Sequence, residues 1–185
     1  FFIWASWVGP HPPFYAPERY LDMYADVDFP PCALTPEQQA EQDIAPEKDV
    51  DQRWVKRFKQ GYFARISLID THLGRILDAL EETGLDKNTL IIFTSDHGEM
   101  LGDRRKFSKT VPYEGSNHVP LIMSGPGIVS NTRADTAVNT WDVAATILDA
   151  AHIDPPANHS MIGTSLLQLD GEDVERVVIS HLYEG

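Results

Sequence analysis

The run Leu90-Ile91-Ile92-Phe93-Thr94-Ser95-Asp96-His97-Gly98-Glu99 constrains the fold more than any other stretch of the chain. Apolar residues stop abruptly at an Asp-His pair, and a glycine then lets the backbone turn. A short apolar run bounded by turn signals reads as a buried strand, and open α/β sheets set their ligands beyond the carboxyl ends of such strands. A carboxylate beside an imidazole at that place has two readings. One is a pair of metal ligands: carboxylate oxygen suits calcium, magnesium or manganese, and imidazole suits zinc, iron or copper better. The other is a strand-end aspartate that caps the next turn beside a partly exposed histidine.

The flanking pattern alternates strands with helices. Phe1 to Trp7 reads as a core strand, closed by Gly9-Pro10-His11-Pro12-Pro13, whose prolines exclude helix. This start has no basic segment and no preceding turn, so it reads as a beginning in the middle of a larger protein. Pro17 to Pro46, rich in Pro, Asp, Glu and Gln, reads as an irregular surface excursion. From about Asp51 to Thr83, apolar residues recur every three or four positions (Trp54, Phe58, Tyr62, Ile66, Ile69, Leu73, Leu80), which predicts one long amphipathic helix. Gly84 stands where a helix C-terminal glycine belongs.

Thr89 to Ser95 follows as a strand, Asp103 to Tyr113 as a polar loop, and Val119 to Ser124 as a second apolar run closed by Gly125-Pro126-Gly127. Asn139 or Thr140 caps a further helix, with Asp142 in its first turn and Val143, Ile147 and Leu148 as its buried stripe. Pro155-Pro156 ends that region, and Val177 to Ser180 is a last candidate strand. The sum is an α/β sandwich with a largely parallel or mixed sheet flanked by helices, spanning 1–185 as one partial domain.

Charge narrows the class of partner. Lys+Arg 15 against Asp+Glu 28 gives a formal net charge of −13, which argues against binding nucleic acid or an anionic membrane through a basic surface. An anionic substrate stays open, because local cations and a metal can reverse the field inside a cleft. The single Cys32 excludes an internal disulfide, and no apolar segment is long enough to span a bilayer.

Loops at the carboxyl ends of different strands are expected to meet in one cleft. Pro10-His11-Pro12, Asp96-His97-Gly98 and the stretch holding Lys106 and Lys109 are then the candidate segments. Together they offer metal ligands, a proton-transferring histidine and fixed positive charge, a set suited to cleaving an anionic ester. Each also has a plain structural reading: a histidine among prolines shaping a turn, and lysines solvated in a polar loop.

Gly61-Tyr62-Phe63-Ala64, Asp70-Thr71-His72-Leu73-Gly74, Leu80-Glu81-Glu82-Thr83-Gly84 and Thr94-Ser95-Asp96-His97-Gly98-Glu99-Met100-Leu101-Gly102-Asp103 resemble consecutive segments of sulfatases in the alkaline phosphatase superfamily. So do Lys109, Tyr113-Glu114, Val119-Pro120-Leu121-Ile122, Gly125-Pro126-Gly127, Ala145-Thr146-Ile147-Leu148-Asp149 and Gly163-Thr164-Ser165-Leu166-Leu167, in the same order. The resemblance implies an alkaline-phosphatase-like sandwich and four site residues. Asp96 and His97 match the family's second pair of metal ligands. Lys109 matches the lysine that contacts the sulfate, and His11 looks like the histidine near the leaving-group oxygen. Lys106 matches no family position, and His118 stands where arginine is frequent.

The resemblance also implies a divalent metal (calcium first, manganese or zinc as alternatives) and a formylglycine nucleophile. The latter is made from Cys or Ser in a C-x-P/A-x-R pattern. Cys32 lies in Pro31-Cys32-Ala33-Leu34-Thr35-Pro36, with Leu34 and Pro36 in the places of Pro/Ala and Arg, so it is not that residue. No Asp-Asp pair precedes the first strand to complete the metal site. The expectation is therefore an internal-to-C-terminal part of a sulfatase catalytic domain, acting on a sulfated small molecule or glycan and inactive alone. One alternative is a phosphonate monoester or phosphodiester hydrolase of the same superfamily. The other is a degenerate, non-catalytic domain.

Overall fold

The computed structural model describes residues 1–44, 51–155, 163–169, 176 and 178–180. The chain divides into two compact units, Phe1–Thr83 with Glu99–Lys109, and Gly84–Gly98 with Thr110–Gly185.

The first unit is built on one helix. Its elements are α1 (Glu18–Asp22), α2 (Pro36–Ile44) and α3 (Gln52–Glu82). At 31 residues, α3 is roughly 46 Å long. Asp51 starts it by accepting the Arg53 amide at 2.9 Å, and the chain leaves through Gly84 at φ +69°. The predicted helix is thus present with its predicted ends. Its first half carries the core of this unit: Val55 and Ala64 are buried, and aromatic rings collect around them. Phe14 meets Phe58 edge-on at 4.5 Å between centroids, Phe29 stacks on Phe63 at 5.5 Å, and Phe107 packs against Trp54 and Phe58 at 4.8 and 5.0 Å. Such pairs add about 0.5–1.5 kcal/mol each beyond area burial. Gly61 admits the Phe14 segment, since a Cβ there would lie 2.7 Å from the Phe14 Cβ.

Two expectations for this unit are corrected. The stretch from Pro17 is not wholly irregular, because α1 and α2 form within it. Thr35 and Gln38 make a reciprocal cap, each amide donating to the other's side-chain oxygen at 3.1 and 3.2 Å. Residues 1–7 are not a strand, and Phe1, Phe2, Ile3 and Trp4 are between 65% and 80% exposed. A strand exists only where a neighbouring strand takes its backbone hydrogen bonds, and none does so among the described residues.

In the second unit, β1 (Ile91–Thr94) pairs antiparallel with β2 (Leu121–Ser124), Ile91 opposite Ser124 and Thr94 opposite Leu121. The described ladder therefore fits the mixed form of the expected sheet rather than the parallel one. After β2 the chain turns at Gly125, φ +127°, where a Cβ would lie 2.3 Å from the Thr89 carbonyl oxygen. The short helix α4 (Glu114–Asn117) precedes β2, and α5 (Thr140–Ala150) follows it. Asn139 caps α5 in a reciprocal box with Asp142, as its sequence predicts.

Asp142 is also the centre of a buried polar hub. It accepts the Asn139 amide at 2.8 Å, the Thr164 amide at 2.8 Å and the Arg176 guanidinium at 2.9 Å. Thr146 donates to the Asp142 carbonyl at 2.6 Å and accepts the Leu166 amide at 2.8 Å. Residues 178–180 are described without strand structure, while Val177 and Pro156 lie outside the described residues. Among the described residues, no helix is long and apolar enough to cross a membrane.

Candidate functional site

Asp96 and His97 lie immediately past the carboxyl end of β1, where an open sheet presents ligands. Several bonds shape their turn. The Ser95 hydroxyl donates to the His97 carbonyl at 2.8 Å, and the His97 amide donates to Asp96 Oδ1 at 3.0 Å. Gly98 then donates its amide to the Ser116 carbonyl of α4 at 2.7 Å. Only glycine fits there: a Cβ would lie 2.1 Å from the Gly115 carbonyl oxygen. The sequence reads Gly98 as a turn residue, and the structure adds that it seats the motif against α4.

His97 Nδ1 lies 2.8 Å from the Gly98 carbonyl oxygen. A carbonyl only accepts, so Nδ1 carries a proton, and in the neutral ring Nε2 is the nitrogen with the free lone pair. That nitrogen stands 3.6 Å from Asp96 Oδ2. Two donors about 2.4 Å from one cation and roughly at right angles lie about 3.4 Å apart, so the pair has the bite of a chelate. A ligating histidine anchored through its other nitrogen to a carbonyl is the usual supporting arrangement. The Asp96 side chain is 86% exposed, accessible rather than committed to the interior. Oδ1 does the capping that the plainer reading gave to Asp96, which leaves Oδ2 beside the imidazole. Among the described residues, no group of three or more His, Cys, Asp or Glu side chains converges on one point. The two donors therefore fit a cation as part of a ligand set.

His11 and Lys109 belong to the first unit. His11 is exposed at the end of a turn in which its amide donates to the Val8 carbonyl at 3.1 Å. Its Nδ1 lies 2.8 Å from the Pro12 carbonyl oxygen, so Nε2 is the atom left to exchange a proton. Arg65 of α3 holds this loop by donating to the Pro13 and Tyr15 carbonyls at 3.0 and 3.3 Å. A Cβ on Gly9 would meet the same guanidinium at 2.7 Å. Arg65 is a supporting residue that sequence reading missed, since no local signal links it to partners about 50 positions away.

Lys109 is half-buried at the end of the loop that begins at Glu99. Lys106 is exposed, consistent with a solvated charge. His118, just past the end of α4, is exposed and paired with Glu114 at 2.8 Å, a surface pair that is worth little energetically. Burial pushes the Tyr62 hydroxyl up from its ordinary value, and the Glu99 charge acts in the same direction. Cys32 is half-buried, with Sγ 3.5 Å from the Leu101 carbonyl oxygen, and a Cβ on Gly102 would lie 2.6 Å from that sulfur. Its place is in packing under the loop.

Comparison with known proteins follows this geometry. A family model described as Sulfatase matches residues 1–153. The chain is 37% identical over 180 residues to an arylsulfatase of Clostridium perfringens, covering 91% of this chain and 37% of that protein. It is similar, at 30% identity and a TM-score of 0.73, to the phosphonate monoester hydrolase of Silicibacter pomeroyi, covering 85% of this chain and 34% of that one. A third likeness is to a solved complex with the substrate D-glucosamine-2-N,6-O-disulfate, at 27% identity and a TM-score of 0.60, covering 73% and 28%. The chain thus spans between 28% and 37% of the length of these proteins.

Proposed function

The chain belongs to the sulfatase family, and on that premise we propose that it supplies part of the catalytic machinery of a sulfate-ester hydrolase. The observation that carries this reading is the Asp96–His97 pair, with Oδ2 and Nε2 3.6 Å apart just beyond β1. These two side chains would hold a divalent cation, calcium first by the exposed carboxylate and the family, with manganese or zinc as alternatives. When bound, such a cation supplies Lewis-acid stabilisation of charge on the ester oxygens.

The remaining roles fall to the chain's own groups. Lys109 binds the anionic ester and offsets charge that accumulates as the bond to the leaving group breaks. His11 delivers a proton from Nε2 to the leaving-group oxygen, its ring held in orientation by the Nδ1–H bond to Pro12. A formylglycine nucleophile would come from a part of the complete protein other than Cys32, whose sulfur is packed under a loop. The substrate class is a sulfated sugar or small sulfate ester, in keeping with the disulfated glucosamine complex among the similar structures.

A second reading, hydrolysis of phosphonate monoesters, is favoured by the Silicibacter pomeroyi likeness at TM-score 0.73. Both substrates are tetrahedral anionic esters, so the same cation and lysine would serve either. Steady-state kinetics of the complete protein with an aryl sulfate and an aryl phosphonate monoester separate the two. The proposal expects the larger kcat/KM for the sulfate; a larger value for the phosphonate would transfer the assignment.

A further inference from the structure

The loop Glu99–Lys109 is wound in a way that calls for external support. Leu101, Arg104, Arg105 and Ser108 all have left-handed backbone, with φ of +49°, +55°, +56° and +71°. For residues other than glycine this costs about 1–2 kcal/mol each, so the conformation persists only if other contacts over-determine it. The outer turn is held from the α2 side. Ala33 donates its amide to Asp103 Oδ1 at 2.9 Å, the Arg104 amide donates to the Ala33 carbonyl, and Gln38 Nε2 donates to the Arg104 carbonyl at 3.0 Å. Phe107 anchors the descending limb against Trp54 and Phe58.

The two ends of the loop are tied by Glu99. Its Oε1 accepts the amide of Leu101 at 3.3 Å and also the amide of Ser108. Met100 adds a bond from its amide to the Ser108 carbonyl at 3.1 Å. Ser108 is thereby pinned on both its amide and its carbonyl, and the next residue is Lys109. A carboxylate accepting backbone N–H groups makes hydrogen bonds of the stronger, charge-assisted kind.

We propose that Glu99 is a positioning residue for Lys109: its carboxylate fixes the backbone at Ser108 and so fixes where the lysine ammonium meets the anionic ester. The inference rests on the role given to Lys109 above. It assigns the glutamate that follows the metal-ligand motif a task other than metal binding. The lysine's long side chain is flexible, and its root is held by the loop closure.

The test is a double-mutant cycle in the complete protein with an aryl sulfate as substrate, run beside amide hydrogen exchange at Leu101 and Ser108. Glu99→Ala is expected to lower kcat roughly 10- to 100-fold, the range for a misplaced catalytic group. Exchange at both amides should accelerate. Glu99→Gln, which keeps an acceptor oxygen, should restore most of both properties. The double variant Glu99→Ala/Lys109→Ala should be no slower than Lys109→Ala alone. Full activity in Glu99→Ala, with Lys109→Ala impaired, overturns the positioning role, as does a double variant whose losses multiply. Full activity in Lys109→Ala instead overturns the underlying reading of the lysine. Where Glu99→Ala does not fold, Glu99→Asp, with its carboxylate withdrawn by one methylene, takes its place in the same cycle.

Discussion

At the scale of single residues, Asp96 and His97 owe their arrangement to local chemistry. Adjacent positions past a strand, one glycine and two carbonyl contacts suffice to fix a tautomer and a donor spacing. Gly98 is the residue on which that arrangement turns. Gly98→Ala would drive a methyl group into the Gly115 carbonyl, whose oxygen lies 2.1 Å from the added Cβ. Neighbouring backbone must give, so the variant is expected to weaken divalent-cation binding by the complete protein about tenfold or more, in the range seen when a ligand's supporting shell is disturbed. Isothermal titration with calcium measures this, and unchanged affinity would show that the turn is not set by that contact.

Asp142 shows a different residue-scale effect. Burial alone would raise its carboxyl, but the Arg176 guanidinium and the Asn139 and Thr164 amides outweigh it and hold the group below the usual aspartate range. A carboxyl depressed in the folded state contributes stability that is fully present above about pH 4, the unfolded aspartate value, and is lost as pH falls through its folded value. Asp142→Asn should therefore flatten the acid limb of the stability profile, read as melting temperature against pH. Asp142→Ala, which leaves Arg176 without its buried partner, should cost about 3–5 kcal/mol at neutral pH.

At the scale of elements, α3 shows why some of the fold was legible in the sequence and some was not. Its length, its Asp51 start and its Gly84 exit follow from periodicity and capping, signals carried within a few residues. The cap at Thr35-Pro36-Glu37-Gln38 carried the same kind of signal, but a polar, proline-rich setting obscured it. Arg65 and Glu99 were not legible as supports, because their partners are defined only once the chain has folded back on itself. Residues 1–7 show the converse: a strand-like composition does not make a strand without a neighbour to bond. Arg65→Ala, which frees the Pro13 and Tyr15 carbonyls, should loosen the loop carrying His11. The expected result is a lower kcat for a sulfate ester with a poor leaving group and a smaller loss for one with a good leaving group, which needs less proton donation. Equal losses for the two would argue that Arg65 acts on stability alone.

At the scale of the whole molecule, motif order and family match agree that the chain belongs to the sulfatase family. The site proposed for it consists of two cation donors, a lysine and a histidine. The expected α/β class and the family were readable because collinear motifs survive in any piece of such a domain. The chain spans 37% of the length of the Clostridium perfringens arylsulfatase. The central claim is that Asp96 and His97 hold a divalent cation. Calorimetric titration of the complete protein with calcium, comparing wild type with Asp96→Ala, tests it most directly. The account predicts that the variant binds calcium at least about tenfold more weakly while melting at an unchanged temperature without metal; superimposable binding curves for the two proteins would contradict it.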